Sequence, residues 1–200
     1  EAAYTERLAR ALGSGALARP APGIETACRQ PQATGLDRLF AARGAFELLC
    51  ASGRAGRGFL VLDAGTALTV DAVEVAGGQA RFLGGAIAPG PRLLAEALAS
   101  GTARLPRLAP ETGVVALGRD TRAAILSGVA VGFRGAAREL ARRIAGEAGL
   151  EGALAVVSGG ARAFLLEPEP FDDGRPLVVD PELVHRGLLA ALGPAQEDRP

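Results

Sequence analysis

The sequence predicts a mixed α/β fold, and three observations carry that expectation. Residues 59–75 read as two apolar, β-branched strands on either side of a single Gly-Thr step, the mark of a hairpin. Later apolar strands alternate with helical stretches instead of with more strands. A long helical segment opens at Thr121 behind Asp120, a capping residue by type. Strands that come first as a meander and then alternate with helices fit neither a plain Rossmann pattern nor an all-β one.

Taken in order, residues 3–12 have helical spacing, with Leu8 and Leu12 one turn apart and Gly13-Ser14-Gly15 closing the element. Residues 16–34 read as loop with at most one short strand near Ile24. A helix over 36–51 places Leu36, Leu39, Phe40, Phe46 and Leu49 along one broad inward stripe. After the hairpin, a third strand over Ala80–Leu83 runs into Gly84-Gly85, and Ala86–Pro91 reads as loop. Pro91 then suits the first position of a helix over 91–99. The helix from Thr121 to about Glu147 carries Gly128, Gly132 and Gly135, whose cost in a helix implies another backbone close by, within the core or across a subunit interface. Ala153–Val157 is a buried strand ending in Ser158-Gly159-Gly160. An acidic, Pro-rich loop over 167–174 precedes a strand at Leu177–Val179, and Pro181 opens a last helix to about Leu192.

Composition removes several chemistries. The chain has 48% hydrophobic residues and a formal net charge of +0, enough core for one compact unit or two packed lobes. With 28 Gly and 13 Pro it needs many turns, yet these lie between apolar runs without the period of collagen. All its basic residues are Arg, which excludes a P-loop lysine and any Schiff base. Cys28, Cys50 and His185 form neither a CxxC pair nor a zinc site of ordinary spacing, and two thiols fit a reducing compartment. His185 reads as structural. Zero net charge without a basic stripe argues against nucleic acid as a partner. No run of about twenty apolar residues and no signal-peptide pattern is present, so the expectation is a cytoplasmic protein with no membrane partner. Met is absent even at position 1, which suggests a processed or shortened chain.

Asp63-Ala64-Gly65-Thr66, where the two strands turn, is the strongest local signal. A carboxylate at a strand end can hold a cation, and a Gly-Thr turn offers backbone N–H groups and a hydroxyl to phosphate. The same four residues also suit an ordinary hairpin turn. Gly35-Leu36-Asp37-Arg38, at a helix start, makes Asp37 a capping residue by default and a general base beside an anion-binding Arg as the functional alternative. Gly84-Gly85 and Gly159-Gly160 permit close approach of a ligand or of another backbone. Arg43, Arg54 and Arg57 flank these sites without adding a signal of their own.

The order and wording of the motifs are more specific than any one of them. Cys28-x-x-Pro31-x-x-x-Gly35-x-Asp37-Arg38 is followed by LDAGTALTVDAV, LGGAIAPG, DTRAAILSGV, VVSGGARAF and DPELVHRGLLAAL. This succession, over residues 28–192, resembles the type III pantothenate kinases. The resemblance implies a two-lobed, actin- and sugar-kinase-like (ribonuclease H-like) α/β fold with a mixed sheet, each lobe of βββαβα topology, and an incomplete first lobe. On that division residues 1–57 are what remains of the first lobe, 58–180 form the C-terminal lobe, and 181–193 are a helix packing back on the first.

It further implies ATP-dependent phosphorylation of pantothenate, with ATP, Mg2+ and a K+ or NH4+ ion, in a homodimer to which the long helix contributes. Asp37 is then the proton acceptor, Gly35, Arg38 and Thr121 hold pantothenate, Asp63 binds the monovalent cation, Gly65 and Thr66 contact ATP, and Gly159 and Gly160 lie near the adenosine. Two departures stand out. Cys28 occupies a position usually held by Tyr, and the Asp-x-Gly-Asn-Thr phosphate motif has no counterpart in a chain without Asn. They favour, as the alternative, a non-catalytic relative that binds pantothenate or nucleotide. A different small-molecule kinase of the same superfamily is a third reading.

Overall fold

The computed structural model describes residues 20–168 and 174–192. The helix expected over 3–12 and most of the acidic loop lie outside them. Six strands form one mixed sheet: β1 (Glu25–Thr26), β2 (Gly58–Ala64), β3 (Ala67–Ala76), β4 (Gln79–Pro89), β5 (Ala155–Ser158) and β6 (Leu177–Val179), in the order β1-β4-β3-β2-β5-β6. The β2, β3 and β4 neighbours are antiparallel, and the β1–β4, β2–β5 and β5–β6 pairs are parallel. Three antiparallel strands followed by parallel ones across helices is the βββαβα arrangement that the resemblance implies.

The helices are α1 (Leu36–Ala51), α2 (Pro91–Gly101), α3 (Thr121–Ala148), α4 (Ala163–Leu166) and α5 (Leu183–Leu192). Asp120 caps α3 by accepting the Ala123 N–H at 2.8 Å, and Gly149 ends it at φ 65°. Phe133, Ala137, Ala141 and Ala145 repeat every four residues along its buried face, and the small side chains let α3 lie close on Leu62, Leu68, Val70 and Val157 of the sheet. The opposite sheet face, with Phe59, Val61, Val73, Phe82 and Val156, is covered by Leu39, Ala42, Ala45 and Leu49 of α1 and by Leu183 of α5. None of the described helices is long and apolar enough to cross a membrane.

Three expectations are corrected. β4 does not stop at Leu83; it runs through Gly84-Gly85 to Pro89, so the segment from Ala86 is strand and not loop. A register shift at Ala72/Val73 marks a bulge at Leu83, and from Gly84 to Pro89 the strand pairs residue for residue with β3. β5 begins two residues later than expected and includes Ser158. Within this chain no backbone approaches Gly128, Gly132 or Gly135, since a Cβ built at each would meet open space among the described residues.

Close backbone approach occurs instead where α1 crosses α5. A Cβ at Gly44 would overlap the Leu183 carbonyl, and one at Gly187 the Phe40 carbonyl. Gly44→Ala should therefore destabilise the chain by about 1–3 kcal/mol in urea unfolding, the cost of overpacking a tight contact. An unchanged midpoint would mean that the two helices separate without loss.

Candidate active site

The sheet face under α1 is apolar for half its length and polar for the rest. Along β2 the same-face residues run Phe59, Val61, Asp63; along β3 they run Val73, Asp71, Thr69; along β5, Val156 is followed by Ser158. Register places Asp63 opposite Thr69 and beside Ser158, and Asp71 between Val61 and Gly85. β2 and β5 therefore change from core to polar side chains at the level of Asp63, Thr69 and Ser158, and β3 does so one step earlier, at Asp71. The first turn of α1 sits over that end of the sheet.

Arg38 joins the helix to the sheet. Its Nε donates to both carboxylate oxygens of Asp71 at 3.2 Å, and its Nη2 donates to Oδ1 of the same group. The guanidinium carbon lies 5.3 Å from the centre of the Phe82 ring, a cation–π contact. Asp71 is only 1% exposed. Burial pushes its carboxyl above the usual carboxylate range, against the pull of the Arg38 hydrogen bonds and charge. Burial alone would lower Arg38, but its hydrogen bond and charge pairing with Asp71 more than reverse that and hold the guanidinium charged. Glycine is required opposite, because a Cβ at Gly85 would strike the Val70 carbonyl and Asp71 Oδ1.

Asp37 is exposed, and its Oδ1 accepts the Arg38 backbone N–H at 2.9 Å. The default reading of Asp37 as the helix cap is corrected: Gly35 holds the N-cap position without a side-chain cap, and Asp37 lies inside the first turn. There its charge complements the helix dipole and its other oxygen stays free of intramolecular bonds among the described residues. Burial, followed by the nearby charge of Asp37, pushes the Asp63 carboxyl up. Asp63 thus lies within electrostatic reach of Asp37 and makes no hydrogen bond among the described residues.

Around Asp63 the chain is tightly folded. Gly159 has φ +92°, and a Cβ there would overlap the Ala64 carbonyl and Asp63 Oδ1, so no other residue fits. Ala161 donates its N–H to the Ala64 carbonyl at 2.7 Å, and Gly65 donates to the Ala67 carbonyl across the hairpin turn. Thr66 is exposed, and its carbonyl accepts the Gly90 N–H at the head of α2. Gly160 borders open space.

The fold thus brings Gly35, Asp37, Arg38, Asp63, Gly65 and Gly159 to one end of the sheet. It does not join Thr121 to them: that residue is exposed at the head of α3, with no described hydrogen bond or ion pair to the group. Cys28 packs beside Gly84, within electrostatic reach of Arg38. His185 is exposed on α5 and faces Glu182 at 2.7 Å. Asp71 is not singled out by its motif. A single acid inside the β-branched run LTVDAV signals a buried charge that needs a partner, but among 22 basic residues the sequence does not say which.

Residues 14–143 match the profile of the family described as type III pantothenate kinase. The chain belongs to the type III pantothenate kinase family. Its relatives include proteins of that name from Thermus thermophilus, 39% identical over 167 residues, and Akkermansia muciniphila, 34% identical over 163. A third, from Gluconobacter oxydans, is 37% identical over 168 residues. The matches cover 84%, 82% and 83% of this chain but 61%, 62% and 56% of the relatives, so the chain spans about three fifths of their length.

The raised Asp63 carboxyl fixes a sign for stability against pH. Its charged form is disfavoured in the folded state, so its contribution to stability is complete below the unfolded value of 3.8 and is lost as pH rises through the higher folded value. In buffer free of potassium and ammonium, Asp63→Asn should gain stability over the parent chain as pH rises from 4 to 7 in urea unfolding. Parallel curves for the two proteins would show that Asp63 is not desolvated.

Proposed function

We propose that the protein phosphorylates the hydroxyl of pantothenate from ATP, giving 4'-phosphopantothenate in the first step of coenzyme A synthesis, in the cytoplasm. One observation carries this reading: an exposed carboxylate, Asp37, projects from a helix turn beside a fixed guanidinium and a desolvated second carboxylate. In the proposed reaction Asp37 accepts the hydroxyl proton as that oxygen bonds to the γ-phosphorus, and the bond to the β-phosphate oxygen breaks to release ADP. Gly35 and Arg38 hold the pantothenate, with Arg38 toward its carboxylate. Thr121 contributes a further pantothenate contact.

Asp63, Gly65 and Thr66 serve the nucleotide end, and Gly159 and Gly160 flank the adenosine. A single half-buried carboxylate among backbone groups suits a large, weakly held monovalent cation, K+ or NH4+, at Asp63. Among the described residues no cluster of three or more His, Cys, Asp or Glu could hold a metal. Mg2+ is therefore assigned to the phosphates of ATP, where it neutralises their charge when bound. The open, glycine-bearing face of α3 supports a homodimer, which light scattering of the chain would report as twice its 20.2 kDa mass. For the domains we keep 58–180 as the C-terminal lobe and 1–57 with 181–193 as parts of the first, a division supported by the tight α1–α5 crossing.

Asp37→Asn tests the assignment. Asn can still accept the Arg38 N–H, so stability should change little. In a chain bearing a complete first lobe, turnover measured as ADP release should fall by about 10²–10⁴ while pantothenate still binds. Full activity in the variant would remove Asp37 as the base. Binding of pantothenate or nucleotide without turnover in the parent protein would support a non-catalytic binding role instead.

A further inference from the structure

We propose that Asp71 is a positioning residue for the substrate: it aims one edge of the Arg38 guanidinium at the carboxylate of pantothenate. The inference rests on the reading of Arg38 given above and adds a residue to it.

A guanidinium presents two edges of paired N–H groups, one from Nε and Nη2 and one from the two Nη nitrogens. Asp71 takes the first edge, with both of its oxygens within hydrogen-bonding distance of Nε and with Nη2 on Oδ1. Nη1 makes no hydrogen bond among the described residues, so the second edge is left for a ligand. Phe82 supports the group, its ring centre 5.3 Å from the guanidinium carbon, and the paired hydrogen bonds to Asp71 fix which edge faces the core. Together they set the direction of the free edge. Arg38 is 15% exposed and Asp71 1%, so the pair lies at the boundary between core and site, with its open side outward.

A purely structural tie between α1 and the sheet would not need this arrangement. The neighbouring same-face positions Val61 and Val73 hold the sheet with apolar side chains, and well-packed apolar residues usually serve stability as well as a buried ion pair does. The pair also has a consequence for Asp37. Among the described residues, all the side-chain hydrogen bonds of Arg38 go to Asp71, so the carboxylate one residue earlier keeps an oxygen free of its guanidinium. Gly85 leaves room for Asp71 to reach Arg38, as the GGAIAPG segment passes opposite it.

The test uses the 200-residue chain labelled with nitrogen-15, with pantothenate as the probe and magnetic-resonance detection of the Arg38 Nε–H group. In the parent chain this proton should exchange slowly, and its signal should shift on addition of pantothenate without losing that protection. Asp71→Asn should weaken pantothenate binding at least tenfold while leaving the affinity for ADP unchanged, an effect that a general loss of structure would not produce. Arg38→Lys, which keeps the charge but loses the fork, should weaken it similarly, and the double variant should be no worse than either. Unchanged pantothenate affinity in Asp71→Asn would overturn the proposal. So would fast exchange of the Arg38 Nε–H, or its loss of protection in the pantothenate complex, and these readouts hold even if Asp71→Asn does not fold. A protected Nε–H in a parent chain that shows no pantothenate binding would instead refute the reading of Arg38 as a substrate residue.

Discussion

The pairing of Arg38 with Asp71 is the interaction on which the site depends. A carboxylate in the middle of a central strand, between Val70 and Ala72 and opposite Val61, is costly to bury alone, and a charged, multiply bonded partner makes it tolerable. That partner comes from the first turn of a helix 33 residues earlier in the chain. The pair therefore fixes where α1 begins over the sheet, and with it where Gly35 and Asp37 lie. Its geometric requirements extend outward to Phe82, which the guanidinium covers, and to Gly85, whose missing side chain leaves room for Asp71.

From that point the sheet face divides into two parts with different physics. Toward Phe59, Val73 and Val156 it is ordinary core, closed by α1 and α5. Toward Asp63, Thr69 and Ser158 it is polar and only partly covered, so a carboxylate there keeps its charge at a cost in desolvation and in repulsion from Asp37. Such a region gains from any cation or hydrogen-bond donor that enters it, and this is the physical sense in which it is prepared for a ligand. The tight turn after β5 serves the same end: with Gly159 in the left-handed region and no side chain, the backbone can pass directly against Asp63.

Much of this is legible in the sequence, for reasons that particular elements show. The helix over 36–51 and the strand at Leu177–Val179 read within their observed bounds, because apolar residues at helical spacing and a short β-branched run between turn residues each have one interpretation, although Leu36, expected on the inward stripe, is 60% exposed in the first turn. Asp120 caps α3 as expected, since the cap is a local bond. β4 reads too short because Gly84-Gly85 and Pro89 punctuate a sequence like a turn, whereas the strand is continued by pairing with β3, which local residues do not reveal. For Asp37 the residue type suits a cap but the position is wrong by two, because Gly35 can hold the N-cap without a side chain. Asp37, Asp63 and Gly159 stand out through their motifs. Asp71 does not, since its charged partner lies 33 residues away, and so the residue that organises the site is the one the sequence conceals.

A double-mutant cycle in urea unfolding tests this account most directly, with Arg38→Met, Asp71→Leu and the two combined. Breaking a buried pair by removing one partner costs about 3–5 kcal/mol, while replacing both by apolar groups is often nearly neutral. Arg38→Met alone, which strands the buried carboxylate, should therefore be strongly destabilising, and adding Asp71→Leu should restore most of the loss. If Arg38→Met is neutral, or if the two substitutions are simply additive, the pair does not hold helix α1 to the sheet.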